Sequence, residues 1–128
     1  MIQCEYPKVS CLIVSEIIPN DLVEAFRAQA YARKELIVLN KQQSYHDASI
    51  LYKKANLPDD WMKDLAIELA TGDIICWWHT NHDSHYLSRR IHALNYDDMF
   101  FPKQYFYEAQ NMLYCKSKLY NKEYFNEV

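Results

Sequence analysis

The run His79-Thr80-Asn81-His82-Asp83-Ser84-His85 places three histidines and a carboxylate within seven residues. Imidazole is the commonest metal ligand among ionisable side chains. Three imidazoles with an open coordination position make a catalytic zinc site, and a nearby carboxylate acts as base or orients a ligand. If His79 ends a strand and the following loop curls back, His82 and His85 converge on it, with Asp83 in support. The implied chemistry is metal-assisted hydrolysis. Cys76 falls on the opposite strand face from His79 and does not join the set. The spacing matches no metal signature, and a solvated loop whose histidines bind nothing is the commoner meaning of so short a run.

Two further groups carry recognition chemistry. Arg89 and Arg90 leave the apolar Leu87–Ile91–Leu94 stripe of a short helix and meet solvent, where they suit a phosphate or carboxylate. Trp77-Trp78, Phe100-Phe101 and Tyr105-Phe106-Tyr107 are consecutive aromatics that cannot all face one core. Trp77 and Trp78 read as core. Phe100, Phe101 and Tyr107 read as a partner surface, because aromatic side chains dominate binding hot spots.

Several chemistries are excluded. The chain has one glycine, so GxGxxG, GxxxxGK[ST] and GxSxG cannot occur, and no HExxH is present. Phosphate cradling by a glycine-rich loop is ruled out with them. The cysteines at 4, 11, 76 and 115 form no CxxC pair, which disfavours a cysteine zinc site. Cys11 and Cys76 lie inside apolar runs and read as small buried hydrophobes. No cofactor is implied.

The elements that must position these residues centre on Leu57 to His85. Leu57, Trp61, Leu65 and Leu69 recur every four residues, with Asp59, Asp60, Lys63, Asp64 and Glu68 opposite them. That spacing predicts an amphipathic helix with Trp61 and Leu65 at the centre of the core. Pro58 suits its first turn. Gly72 is placed to stop it in a left-handed conformation. Asp73 to His79 then reads as a strand buried on both faces, Ile74, Cys76 and Trp78 one way, Ile75 and Trp77 the other.

Upstream, Val9–Ser15 is a strand rich in β-branched residues. A helix capped at Asn20 or Asp21 follows, with Leu22, Val23, Phe26 and Ala30 as its stripe. Glu35–Asn40 is a second apolar strand. Tyr45, Ala48, Tyr52 and Ala55 share one helical face, which predicts a helix over Tyr45–Ala55. Downstream, Pro102–Tyr120 reads as a longer helix. Strand and helix alternate, so the expected architecture is α/β: a small three-stranded, mainly parallel sheet flanked by helices, with a C-terminal helix.

At 128 residues, 50% of them hydrophobic and 24% charged, the chain fits a single domain over residues 1–128. No run approaches the ~20 apolar residues of a membrane span, and no secretory signal is visible, so a cytoplasmic protein is the expectation. The net charge of −3 points to no particular partner, and the eleven tyrosines suit a packed core or a recognition surface. Arg33, Lys34, Lys41, Lys53 and Lys54 cluster in sequence, but a solvated surface accounts for them better than a nucleic-acid stripe. The expected partner is a protein. The composition fits a non-enzymatic binding module, such as an accessory inhibitor or regulator of the kind carried by phages and mobile elements. A hydrolase built on His79, His82 and His85 is the rival expectation.

Overall fold

A computed structural model describes residues 7–78, 82–93, 101–102 and 113–120. Strand β1 (Val9–Val14) leads through α1 (Asn20–Arg27) to β2 (Lys34–Asn40). A hairpin of β3 (Tyr45–Asp47) and β4 (Ile50–Lys54) follows, then α2 (Asp59–Leu69), β5 (Ile74–Trp77) and α3 (Tyr86–Ala93). The short strands β6 (Phe101–Pro102), β7 (Tyr114–Cys115) and β8 (Leu119–Tyr120) complete the described elements, with one 3-10 turn at Lys116–Lys118.

The main sheet has six strands in the order β3-β4-β2-β1-β5-β7. β4, β2, β1 and β5 run parallel, and the edges β3 and β7 run antiparallel to their neighbours. The three-stranded sheet expected from sequence is therefore wrong: the sheet is mixed and twice as wide. β6 and β8 form a separate parallel pair.

Two segments expected to be helical supply the extra strands. Tyr45–Ala55 is a hairpin, not a helix. Tyr45 and Tyr52 share a face at both the helical and the strand-pair spacing, and here they stack across the hairpin with centroids 4.4 Å apart. The turn that joins the strands uses Ala48 at φ 53°, the positive value that mirror-image hairpin turns require. With alanine in a position that glycine or asparagine usually fills, the turn left no trace in the sequence. The helix expected over Pro102–Tyr120 is contradicted at both ends. Phe101–Pro102 pairs with Leu119–Tyr120, and Tyr114–Cys115 covers the edge of β5. The middle of that span lies outside the described residues.

The strands are buried on both faces. On one, Cys11, Ile13, Leu36, Val38, Ile74, Cys76 and Trp78 pack against Val23 and Phe26 of α1 and Leu87 and Ile91 of α3. On the other, Leu12, Ile37, Leu39, Ile75 and Trp77 pack against Met62, Ala66 and Ile67 of α2. The alternation expected for Ile74–Trp78 is the observed one.

The register of α2 differs from the expected one. Trp61 is 66% exposed, whereas Met62 and Ala66 are buried and Leu65 and Leu69 only partly so. α2 lies across β1 and β2, where Ala66 lets the helix approach the sheet closely. The buried stripe is thus turned one residue from the large side chains that define the apolar face in sequence. Gly72 does not adopt the expected left-handed cap, since no glycine has positive φ. Its requirement is space: an added Cβ would lie 2.6 Å from the Lys8 carbonyl oxygen and 2.7 Å from Ser10 Oγ. At α1, no side chain of Asn20 or Asp21 caps the helix; the Pro19 carbonyl accepts the Leu22 and Val23 N–H groups instead. No helix among the described residues is long and apolar enough to cross a membrane.

Candidate ligand crevice at the carboxyl edge of the sheet

The connections leave β1 in opposite directions. β1 passes through α1 to β2 on one side, and the chain later returns through α2 to place β5 on the other. Crossovers of one hand must then put α1 and α2 on opposite faces, as observed. The chain thus reverses its direction of winding at the carboxyl ends of β1 and β5. In open α/β sheets this point of reversal is where ligands settle.

The β1 side is built by the loop Ser15–Pro19. Ser15 Oγ donates to the Ile17 carbonyl, and the Ser15 N–H is held by the Leu39 carbonyl at 3.0 Å. Glu16 is exposed, and its carbonyl accepts the Lys41 N–H at 3.0 Å. The next loop turns on Asn40, which is fully buried. Its Oδ1 accepts the N–H groups of Gln42 and Gln43 at 2.7 and 2.9 Å, and its Nδ2 donates to the Val38 and Gln43 carbonyls, both at 3.2 Å. Asn40 is therefore committed to holding its loop.

The β5 side is anchored more heavily. Trp78 is buried, donates its indole N–H to the Leu22 carbonyl at 2.9 Å and meets Phe26 edge-on. His82 lies against Trp78 and stacks on Tyr86, with ring centroids 3.6 Å apart and planes 11° from parallel. Asp83 organises the turn that leads into α3: its carbonyl accepts the Tyr86 N–H and its Oδ1 the His85 N–H. Both carboxylate oxygens also take the Arg89 guanidinium, at 3.0 and 3.1 Å. That fork, with the His85 N–H, holds the Asp83 carboxyl below its usual range and raises Arg89. Burial pushes the Tyr86 hydroxyl up.

The residues singled out from sequence are distributed unevenly. Of the expected metal set, His79 lies outside the described residues. His82 is engaged with two aromatic rings, His85 is exposed, and Asp83 is turned to Arg89. Among the described residues, no group of three or more His, Cys, Asp or Glu is placed to hold a metal ion. Arg89 faces Asp83, and Arg90 is exposed beside it. Phe100 and Tyr107 lie outside the described residues, and Phe101 is placed only as a residue of β6. The basic cluster is split: Lys34 starts β2 at the amino edge and donates to the Gln29 and Tyr31 carbonyls, while Lys41, Lys53 and Lys54 sit at the carboxyl edge.

Two features escaped the sequence. Gln29 is buried beyond the end of α1 and grips the segment after β5, 54 to 58 residues away. Only the fold brings these partners together, so local pattern carried no signal of them. The second is an apolar fringe. Ile17, Tyr45, Leu57 and Trp61 are the exposed large hydrophobics among the described residues; Ile17 and Leu57 lie in loops, Trp61 in the first turn of α2 and Tyr45 at the start of β3, all toward the carboxyl edge. The stripe containing Leu57 and Trp61 was visible, but not its outward direction. No protein-family profile matches the chain, and no curated protein matches it.

Proposed function

We propose that this chain is a ligand-binding α/β domain that takes a small molecule in the crevice between the ends of β1 and β5. The observation that carries this reading is the reversal of strand order at β1, flanked by the exposed Glu16 loop and the anchored His82–Asp83 segment. The warrant is the general behaviour of doubly wound sheets, whose ligands are most often nucleotide-like. The only glycine packs at the amino edge, so an anionic ligand would be held by side chains and loop N–H groups without a glycine cradle. The test is a titration of isotope-labelled protein with nucleoside mono- and diphosphates and sugar phosphates, with and without Mg²⁺. Amide shifts should cluster on Ser15–Ile18, Asn40–Gln43 and His82–Ser84. Silence across the panel, or shifts centred elsewhere, would sink the reading.

The apolar fringe favours a second reading, in which the same edge docks a protein partner. Exposed Trp61 and Ile17 have the character of interface anchors. This keeps the binding-module function expected from sequence and adds the apolar fringe to the surface expected at Phe100, Phe101, Tyr107, Arg89 and Arg90. A stoichiometric partner whose capture is lost in Trp61→Ala supports it; capture unchanged in that variant counts against it.

A further inference from the structure

Polar side chains that are fully buried need every hydrogen bond they can make. Gln29 is 4% exposed and spends both ends of its amide on one segment of chain. Its Nε2 donates to the Asp83 carbonyl at 2.7 Å, and its Oε1 accepts the Leu87 N–H at 3.0 Å. Beside it the Ala30 N–H donates to the Ser84 carbonyl at 2.8 Å. The Gln29 backbone is itself fixed, because its N–H reaches the Phe26 carbonyl and its carbonyl accepts Lys34 Nζ. Lys34 in turn lies over the Phe26 ring, 5.4 Å from its centroid.

These bonds span the first turn of α3 and the turn that leads into it. They tie the end of α1 to the segment carrying His82 and Asp83. Between those bonds, Tyr86 receives the His82 ring on its face. The loop is thus held by α1, and not only by its own turn geometry.

We infer that Gln29 is a positioning residue: it holds the β5 rim of the proposed crevice in place and so fixes where His82 and Asp83 present themselves. The inference rests on the crevice reading for its functional meaning, but its geometry is independent of any ligand. Sites work when their groups are held by a rigid supporting layer, and a neutral amide with one donor and one acceptor in use suits that task.

The experiment is ligand-free hydrogen exchange and side-chain NMR on Gln29→Met and Gln29→Glu. Gln29→Met keeps the volume and removes both bonds. Amide protection at His85, Tyr86, Leu87 and Ala30 should fall about tenfold, the scale of one lost hydrogen bond. The His82 ring signals, shifted by stacking on Tyr86, should move toward unstacked positions. Protection in β1 and β2 should stay near the wild-type value. A uniform loss across the sheet, or an unchanged His82, would overturn the assignment.

Gln29→Glu covers the case in which the methionine variant does not fold. Its neutral acid can donate to the Asp83 carbonyl and accept from Leu87; its carboxylate cannot donate. Rim protection should therefore return on acidification in Gln29→Glu, measured against wild type at each pH because His82, Asp83, His85, Arg89 and Lys34 lie nearby. Absence of that recovery would count against Gln29 as the strut. Because no ligand enters these measurements, a crevice that binds nothing in the panel leaves their outcome unaffected.

Discussion

Ser10 donates its hydroxyl to Glu35 across β1 and β2, at 2.5 Å, and the same hydroxyl accepts the Gly72 N–H at 2.8 Å. Glu35 also accepts the Thr71 N–H at 2.7 Å and the Thr71 hydroxyl at 3.0 Å, with Lys8 Nζ 3.4 Å away. This network pins the turn between α2 and β5 to the amino edge, opposite the crevice. Burial alone would raise the Glu35 carboxyl. The hydrogen bonds from Ser10 and Thr71 and the Lys8 charge outweigh it and hold the group below its ordinary value. A carboxyl depressed in the folded state stabilises the fold above its unfolded pKa, and that contribution is lost as pH falls through the folded value. Stability should therefore decline below about pH 4.5 in wild type, and less steeply in Glu35→Gln. Glu35→Ala, which strands the Ser10 and Thr71 donors, should cost about 1–3 kcal/mol at neutral pH by urea denaturation.

Gly72→Ala tests the same turn from the other side. The added methyl would meet the Lys8 carbonyl and Ser10 Oγ inside van der Waals distance, and the first of these is backbone that cannot swing away. Loss of about 1–3 kcal/mol is expected, the range for overpacking a filled site. A cost near zero would mean that the α2–β5 turn relaxes freely. The sequence marked Gly72 as a position between helix and strand, though α2 ends earlier, at Leu69, with Ala70 following it. It could not say which property of glycine was in use, because the carbonyl of Lys8 comes from the residue before β1, 64 positions earlier.

Ala48 offers the reverse case. Its positive φ strains any side chain, so Ala48→Gly should leave stability unchanged or raise it by up to about 1 kcal/mol, the relief being partly offset by glycine's greater freedom when unfolded. Ala48→Val should destabilise the hairpin, and equilibrium denaturation of the pair checks both signs. This turn also explains why the sheet looked too narrow from sequence. The strands β1, β2 and β5 were legible as continuous apolar runs buried on two faces. β3 and β4 were not, because a tyrosine pair seven residues apart fits one helical face as well as it fits facing positions in a hairpin.

The α2 register gives a sharp contrast in stability. Met62 is 2% exposed and packs under the sheet, so Met62→Ala should cost about 2–5 kcal/mol. Trp61→Ala should fall within about 0.5 kcal/mol of wild type, as for surface positions away from special features. A large loss in Trp61→Ala would restore the register expected from sequence. Helix and amphipathicity were legible here; the rotation was not, since Trp61 carries the larger apolar surface and Ala66 the closer contact. At the carboxyl edge, likewise, the histidine-rich run was legible, but the stacking of His82 on Tyr86 and the pairing of Asp83 with Arg89 depend on how α3 packs.

The tryptophans separate the two functional readings. Trp61 is exposed on the outer side of α2, while Trp77 and Trp78 are buried at 7% and 0% exposure, and Trp78 lies directly beneath His82. Iodide should quench part of the wild-type emission, and Trp61→Phe should remove that quenchable part, leaving signal from Trp77 and Trp78. A small molecule bound between β1 and β5 should then still perturb the emission of Trp61→Phe, because Trp78 underlies the crevice rim. A protein docking on the apolar fringe should protect the wild-type emission from iodide through Trp61, and the effect should vanish in Trp61→Phe. A nucleotide or sugar phosphate that changes only the Trp61 signal would place its site on α2 and not at the reversal of strand order, and would defeat the crevice reading even if it bound tightly.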